Sequence, residues 1–178
     1  WSCDWLAPSY RVGETKYAYA LQVLARLFGG SETSRLWRAL VTDSKLALSA
    51  SAGYGPVSLG LTSFGVGVHP APQRTVREIE TAMNLEVRKL IDGGVTANEV
   101  ERAQNQLLAA AIYAQDSLAS GPRLYGAVLS TGGTVADIDA WPERIAAVTP
   151  AEVAAAAQSV WRDSGAVISL LTPAEGSR

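Results

Sequence analysis

His69 and Cys3 are the only histidine and the only cysteine in this sequence, and those two counts bound its chemistry. A protein zinc site takes three or four ligands from His, Cys, Asp and Glu. A Ser–His or Cys–His nucleophile pair needs an imidazole within hydrogen-bond reach, so any such pair here would have to use His69. That residue sits in "VHPAP", where a strand pattern runs out into a loop, and it reads as a surface or hinge histidine. Cys3 has no second cysteine to pair with, so no internal disulfide can form. No serine lies in a nucleophile elbow. Gly65-Val66-Gly67 lacks the third glycine of a dinucleotide-binding turn and runs along a strand. "GGSETS", residues 29–34, puts glycines and hydroxyls ahead of a helix, where an anion can be held; a C-cap joined to an N-cap explains the same residues more simply. Glu99 and Glu101, near Arg102 at a helix start, are accounted for by the helix dipole. The tryptophans at 1, 5, 37, 141 and 161 are scattered, as core or rim residues are. The residues themselves thus assign no catalytic residue, no metal ligands and no cofactor to this chain.

The elements that carry these residues can be read from hydrophobic period. "WLAPSY" is a short strand or extended lead-in, with Pro8 marking an edge or a strand end. Tyr17, Leu21, Leu24 and Phe28 recur at helical spacing. Ser31 is placed to cap a second, shorter helix through Leu40, with Leu36 and Leu40 inward. The period then changes to two: Leu46, Leu48, Ala50 and Ala52 alternate with Lys45, Ala47, Ser49 and Ser51. After the "GYGP" turn, Val57, Leu59 and Leu61 resume the alternation, and Phe64, Val66 and Val68 continue it in the opposite phase. A long hairpin with a bulge near Ser63 is expected.

Val76, Ile79, Met83, Val87 and Leu90 form one helical stripe. Thr96-Ala97-Asn98-Glu99 is a capping box opening an Ala-rich helix to about Leu118; Thr149-Pro150-Ala151-Glu152 is another, with proline at the first helical position. Ser120 and Pro122 open a helix through Leu129 between them. "AVISLL", residues 166–171, is expected as a final buried strand. Gly29-Gly30, Gly93-Gly94 and Gly132-Gly133 each follow a helical pattern, where a glycine can take a left-handed C-cap. The order of elements is that of an α+β domain: a mainly antiparallel sheet with several helices packed on one face.

With 178 residues, 48% apolar and 18% charged, the chain can bury a core as one domain, residues 1–178. Its 15 basic and 17 acidic residues give no electrostatic reason to bind nucleic acid. No apolar run approaches the roughly 20 residues needed to span a bilayer. "WSCDWLAPSY" starts without Met and reads like the middle of a strand, so a piece of a longer chain is expected.

One segment adds more. "LQVLARLFGGSETSRLWRALVTDSKLALSASAGYGP" resembles the M16 metallopeptidase family, the relatives of insulinase, pitrilysin and mitochondrial processing peptidase. "GVTANEVERAQNQLLAA" and "WPERIAAVTPAEVAAAAQSVW" continue the likeness in order. The resemblance implies paired α+β domains of one fold enclosing a peptide chamber. One domain of such a protein bears zinc on His-x-x-Glu-His; the other supplies an Arg and a Tyr that hold the substrate backbone. This sequence has no His-x-x-Glu-His, so the resemblance implies the C-terminal, non-zinc-binding domain. Laid on the family's "SRLYQELREKRGLAYS", the segment "SRLWRALVTDSKLALS" puts Val41 at the Arg and Leu48 at the Tyr. Arg35 matches the structural Arg of "SRL", and Arg38 lies one turn before Val41. Neither Val nor Leu can donate a hydrogen bond, so both are expected as apolar packing positions and no substrate-binding residue is assigned.

The resemblance implies a domain of a bacterial zinc metalloendopeptidase subunit, soluble and periplasmic or cytoplasmic. The zinc is expected in an upstream domain of the same chain. A second M16-like subunit would carry the Arg–Tyr pair, and a peptide would be the substrate. A domain of a non-catalytic M16-like assembly subunit is the alternative.

Overall fold

The computed structural model describes residues 1–161 and 165–171. Strands β1 (Ser2–Ala7), β2 (Ala47–Tyr54), β3 (Thr62–Pro70) and β4 (Ala166–Ser169) form one antiparallel sheet in the order β2-β3-β1-β4. Alternation sets its two faces. Trp5, Phe64, Val66 and Val68 point into the core, while Leu6, Ser63 and His69 are exposed. Helix α1 (Ala18–Gly29) lies across the buried face with Leu21, Leu24 and Phe28 fully covered, as its spacing requires. The short α2 (Arg35–Trp37) runs into a π-helical turn, Arg38–Asp43, with Leu36 and Leu40 inward. Then come α3 (Val76–Gly93), α4 (Ala97–Ala114), α5 (Ser120–Ser130), α6 (Val135–Asp139), α7 (Trp141–Ala146) and α8 (Pro150–Val160).

Trp161, at the end of α8, ties the layers together. Its ring centroid lies 4.8 Å from Phe28, 5.7 Å from Phe64 and 6.5 Å from Trp5. The capping boxes at Thr96–Glu99 and Thr149–Glu152 both form, and two more cap α3 and α6 through Thr75–Glu78 and Thr134–Asp137. The threonine oxygen accepts from the third backbone N–H and the carboxylate accepts from the threonine N–H, so two orphan donors are satisfied at each start.

Several expectations are corrected. Residues 57–61 are not a strand: β3 begins at Thr62, and Leu59 is exposed. The bulge lies on β2, where Ala47 pairs with Pro70 and Ser49 with His69, so that Leu48 is the extra residue. Of the two readings of Pro8, a strand end is what the structure shows: it follows Ala7, the last residue of β1, which is a central strand. Helix α4 stops at Ala114, short of Leu118. The cap of α2 is Ser34, not Ser31, whose hydroxyl instead meets that of Thr33. Strand β4 is an edge, and its described residues are exposed rather than buried. Gly94 and Gly132 do take positive φ, but Gly30 has φ −82° and Gly29 is helical.

Lys45, exposed between the π-turn and β2, holds φ at +51°. A side chain there strains a left-handed backbone that glycine adopts freely. Lys45→Gly is expected to raise the unfolding free energy by about 0.5–1 kcal/mol in urea titration, the relieved strain outweighing the added freedom of the unfolded chain. A loss of stability would mean that the lysine side chain makes a contact worth more than the strain.

Candidate functional site

The segment that carries the likeness, residues 21–56, is held by close packing. A Cβ at Gly29 would sit 2.7 Å from the Cβ of Ala52 and 2.7 Å from the carbonyl carbon of Ser51. The end of α1 therefore touches the backbone of β2, and only a glycine fits between them. Ser34 opens α2 from an extended conformation, yet its buried hydroxyl has no hydrogen-bond partner.

The π-turn after α2 is a rare geometry, and it occurs often at functional sites. The Ser44 N–H donates to the Ala39 carbonyl five residues back, at 3.2 Å, and the Leu46 N–H donates to the Leu40 carbonyl at 2.8 Å. Val41 lies within this turn, half-buried and packed against the core. Leu48, near the start of β2, sits at the bulge and is 56% exposed. Val41 thus packs as an apolar residue, whereas Leu48, expected to face helices or a partner, is not covered by the helices of this chain, because the extra residue breaks the parity that Leu48 would share with Ala50. The structure does not bury the two together as one apolar cluster.

Arg35 has a clear role. Its guanidinium grips Glu99 bidentately, with Nε–Oε1 at 2.7 Å and Nη2–Oε2 at 2.8 Å, and donates to the Gly94 carbonyl at 3.1 Å. Glu99 also accepts from the Thr96 N–H and hydroxyl at 2.9 and 2.8 Å. One carboxylate thus caps α4 and clamps it to α2. The Arg35 hydrogen bonds, with the Thr96 donors, hold its acid well below the usual range, at about 2. Reading the sequence alone, with Glu99 assigned to the dipole of its own helix, missed this pair; a separation of 64 residues leaves no local signal.

Arg35, Arg38 and Leu40 line one wall of an open cleft of about 1100 Å³, and Arg77, Ala82 and Leu85 of α3 line the other. Also lining it, Glu86, buried on α3, accepts from Lys89 at 2.6 Å. The cleft brings together cations, carboxylates and an apolar floor, with no nucleophile–base pair among the residues lining it.

The residues tested for chemistry lie apart. His69 is exposed near the end of β3. Cys3 is buried on β1, and burial pushes its thiol up to about 11, away from the reactive thiolate. Among the described residues no three His, Cys, Asp or Glu side chains group so as to hold a metal ion, and no helix is long and apolar enough to cross a membrane.

Comparison with known proteins agrees with this architecture. The family model of the peptidase M16 inactive domain matches residues 3–107. No curated protein matches the chain. Among solved structures, the inactive peptidase domain from Bordetella parapertussis superposes with a TM-score of 0.85 at 16% identity, over 98% of this chain and 92% of that one. A Bordetella pertussis protein assigned as a zinc protease gives 0.77 at 18% identity, over 93% and 89%. A protease from Helicobacter pylori gives 0.83 at 16% identity, over 93% of this chain but 39% of that one, so about three fifths of that protease lies outside the match.

Proposed function

The chain belongs to the peptidase M16 inactive-domain family, and from that premise we propose that it is the C-terminal wall of the peptide chamber in an M16 zinc protease subunit. The observation that carries the reading is the pair Val41 and Leu48. In this reading the helix, turn and strand that would present the family's two substrate contacts are kept, but the positions hold side chains with no donor. A tetrahedral oxyanion needs donors aimed at it, and removing one such donor costs about 10²–10³ in kcat. A subunit with this domain would therefore need those donors from elsewhere.

The rest of the domain suits a wall. It offers an open sheet face and, at β2, an edge whose outer side pairs with no strand among the described residues. An extended peptide can add to such an edge through backbone hydrogen bonds. In this reading zinc sits in an upstream domain of the full subunit, and a second M16-like subunit brings the Arg and Tyr. The parent is a zinc metalloendopeptidase, and this chain supplies shape and exclusion of water.

The test is reconstitution. The full subunit is assayed for cleavage of a quenched peptide, with and without its M16-like partner and with and without a chelator. Cleavage is expected only with the partner present, at least 100-fold above the subunit alone, and abolished by the chelator. Full activity from the single subunit would overturn the division of labour. A subunit that holds no zinc and stays inactive with its partner would instead favour the assembly-subunit reading.

A further inference from the structure

Helix α5 is sparsely covered: of its residues only Val128 is buried, and its main packing neighbour is the short α6. Around it lies apolar surface. Leu118 is 98% exposed, Tyr113 74% and Ile112 65%, and Leu124, Tyr125 and Leu129 of α5 itself are exposed as well. The segment itself carries little charge: between Arg102 and Asp137 the sequence has only Asp116 and Arg123, and the Arg11–Asp137 ion pair borders its far end. Water-facing helices in a monomer are normally polar on that side, and contiguous apolar surface of this kind marks a contact site.

A second observation concerns residue type. Gly126 is in the middle of α5, with helical backbone, and a Cβ built on it meets nothing within 4 Å. Glycine inside a helix costs about 1 kcal/mol relative to alanine, and nothing in this chain asks for it. At about 100° per residue, Gly126 stands about 160° around the helix from the buried Val128, beside Tyr125 and Leu129. A glycine on the outward side lets another backbone come close.

We propose that α5 and the end of α4 form a permanent dock for a second M16-like domain of the same protein, which presents an apolar, uncharged helical surface to them. This rests on the proposed function, which makes the chain one domain of a longer subunit. Two features choose this occupant. About three fifths of the Helicobacter pylori protease lies outside the match, ample for another domain tethered to this one. A segment with so little charge suits a contact that stays closed, since permanent interfaces are more apolar than transient ones. A lipid surface is disfavoured, because Arg123 is the only cation in residues 103–136.

Hydrogen exchange on the full protein and on residues 1–178 alone tests the proposal; the Bordetella parapertussis structure shows that this fold is adopted by a chain of this size. Amides of residues 118–130 are expected to exchange at least 10-fold more slowly in the full protein. Gly126→Leu should leave the thermal midpoint of the isolated chain unchanged or higher and remove that protection in the full protein, with Tyr125→Ser as a second variant. Equal exchange in both forms would overturn the dock, as would protection that survives both variants. Protection that appears in the isolated chain as its concentration rises, together with a dimer in sedimentation, would overturn the occupant in favour of a second copy. Zinc content and peptide cleavage are read separately: a docked α5 in a zinc-free, inactive protein keeps this inference and removes the proposed function.

Discussion

Gly29→Ala is expected to cost about 3 kcal/mol or more, lowering the thermal midpoint by about 6–12 °C for a chain of this size. Overpacking usually costs less, because a crowded side chain can turn aside. Here the obstacle is main chain. The added methyl would press on the Ser51 carbonyl carbon and the Ala52 backbone, and β2 is pinned at both by its pairing, Ser51 with Gly67 and Ala52 with Val66. Relief requires moving α1 off the sheet or breaking that ladder. Movement of α1 would disturb Leu21, Leu24 and Phe28, all fully buried. The gain in helix propensity, up to about 1 kcal/mol, cannot offset this. Gly126→Ala is the control. It makes the same exchange in a helix but into open space, and should stabilise the isolated chain by up to about 1 kcal/mol. Paired urea titrations check both; equal effects would show that α1 can shift to admit the methyl.

That contrast also shows where sequence reading stops. A glycine pair after a helical stripe looks the same whether it caps a helix or lets two elements touch, and nothing around Gly29-Gly30 in the sequence distinguishes the two. Helices whose signals are local were legible: the stripe of α1 and the capping boxes of α4 and α8 are each written within a few residues. Features set by the sheet were not. Strict alternation places Leu48 inward, but one bulge residue reverses parity for everything on one side of it. "AVISLL" has the composition of a buried strand, yet burial depends on what lies over it, and that information belongs to the helical layer.

The candidate site was legible in one respect and opaque in another. The types at positions 41 and 48 decide that neither side chain can donate a hydrogen bond to a substrate carbonyl, and that is read from the residues alone. Their surroundings could not be read, because a π-turn has no compositional signature and the bulge lies where pattern and pairing disagree. The exposed apolar α5 was likewise hidden: Ser120, Pro122 and Leu129 define a helix, but the side that stays uncovered is fixed by what packs on it, chiefly α6.

The second large effect is expected at Arg35. Arg35→Met keeps most of the length of the side chain and its packing while removing three hydrogen bonds, two to Glu99 and one to the Gly94 carbonyl. A bidentate charged pair is stronger than a neutral bond, but both side chains remain about one-fifth exposed, at 22% and 20%, so solvent screens part of it. A loss of about 2–3 kcal/mol is expected, or about 4–12 °C in midpoint. Its pH dependence identifies the cause. The acid of Glu99 falls from the usual 4.5 to about 2 in the folded chain. A lowered folded value means that the unfolded chain binds the proton more readily, so the stabilisation is whole above pH about 4.5 and is lost as pH falls towards about 2. The wild-type chain should therefore lose this contribution across that window. Arg35→Met should lose less there, because its Glu99 keeps only the Thr96 donors. The difference between the two proteins narrows as pH falls and is smallest near pH 2. Arg35→Lys keeps the charge without the fork and should fall between them. Unfolding free energies of the three proteins from pH 2 to 7 decide it. A constant gap between wild type and Arg35→Met across that range would mean that Arg35 acts through packing and the Gly94 carbonyl alone, and that Glu99 is a helix cap and no clamp.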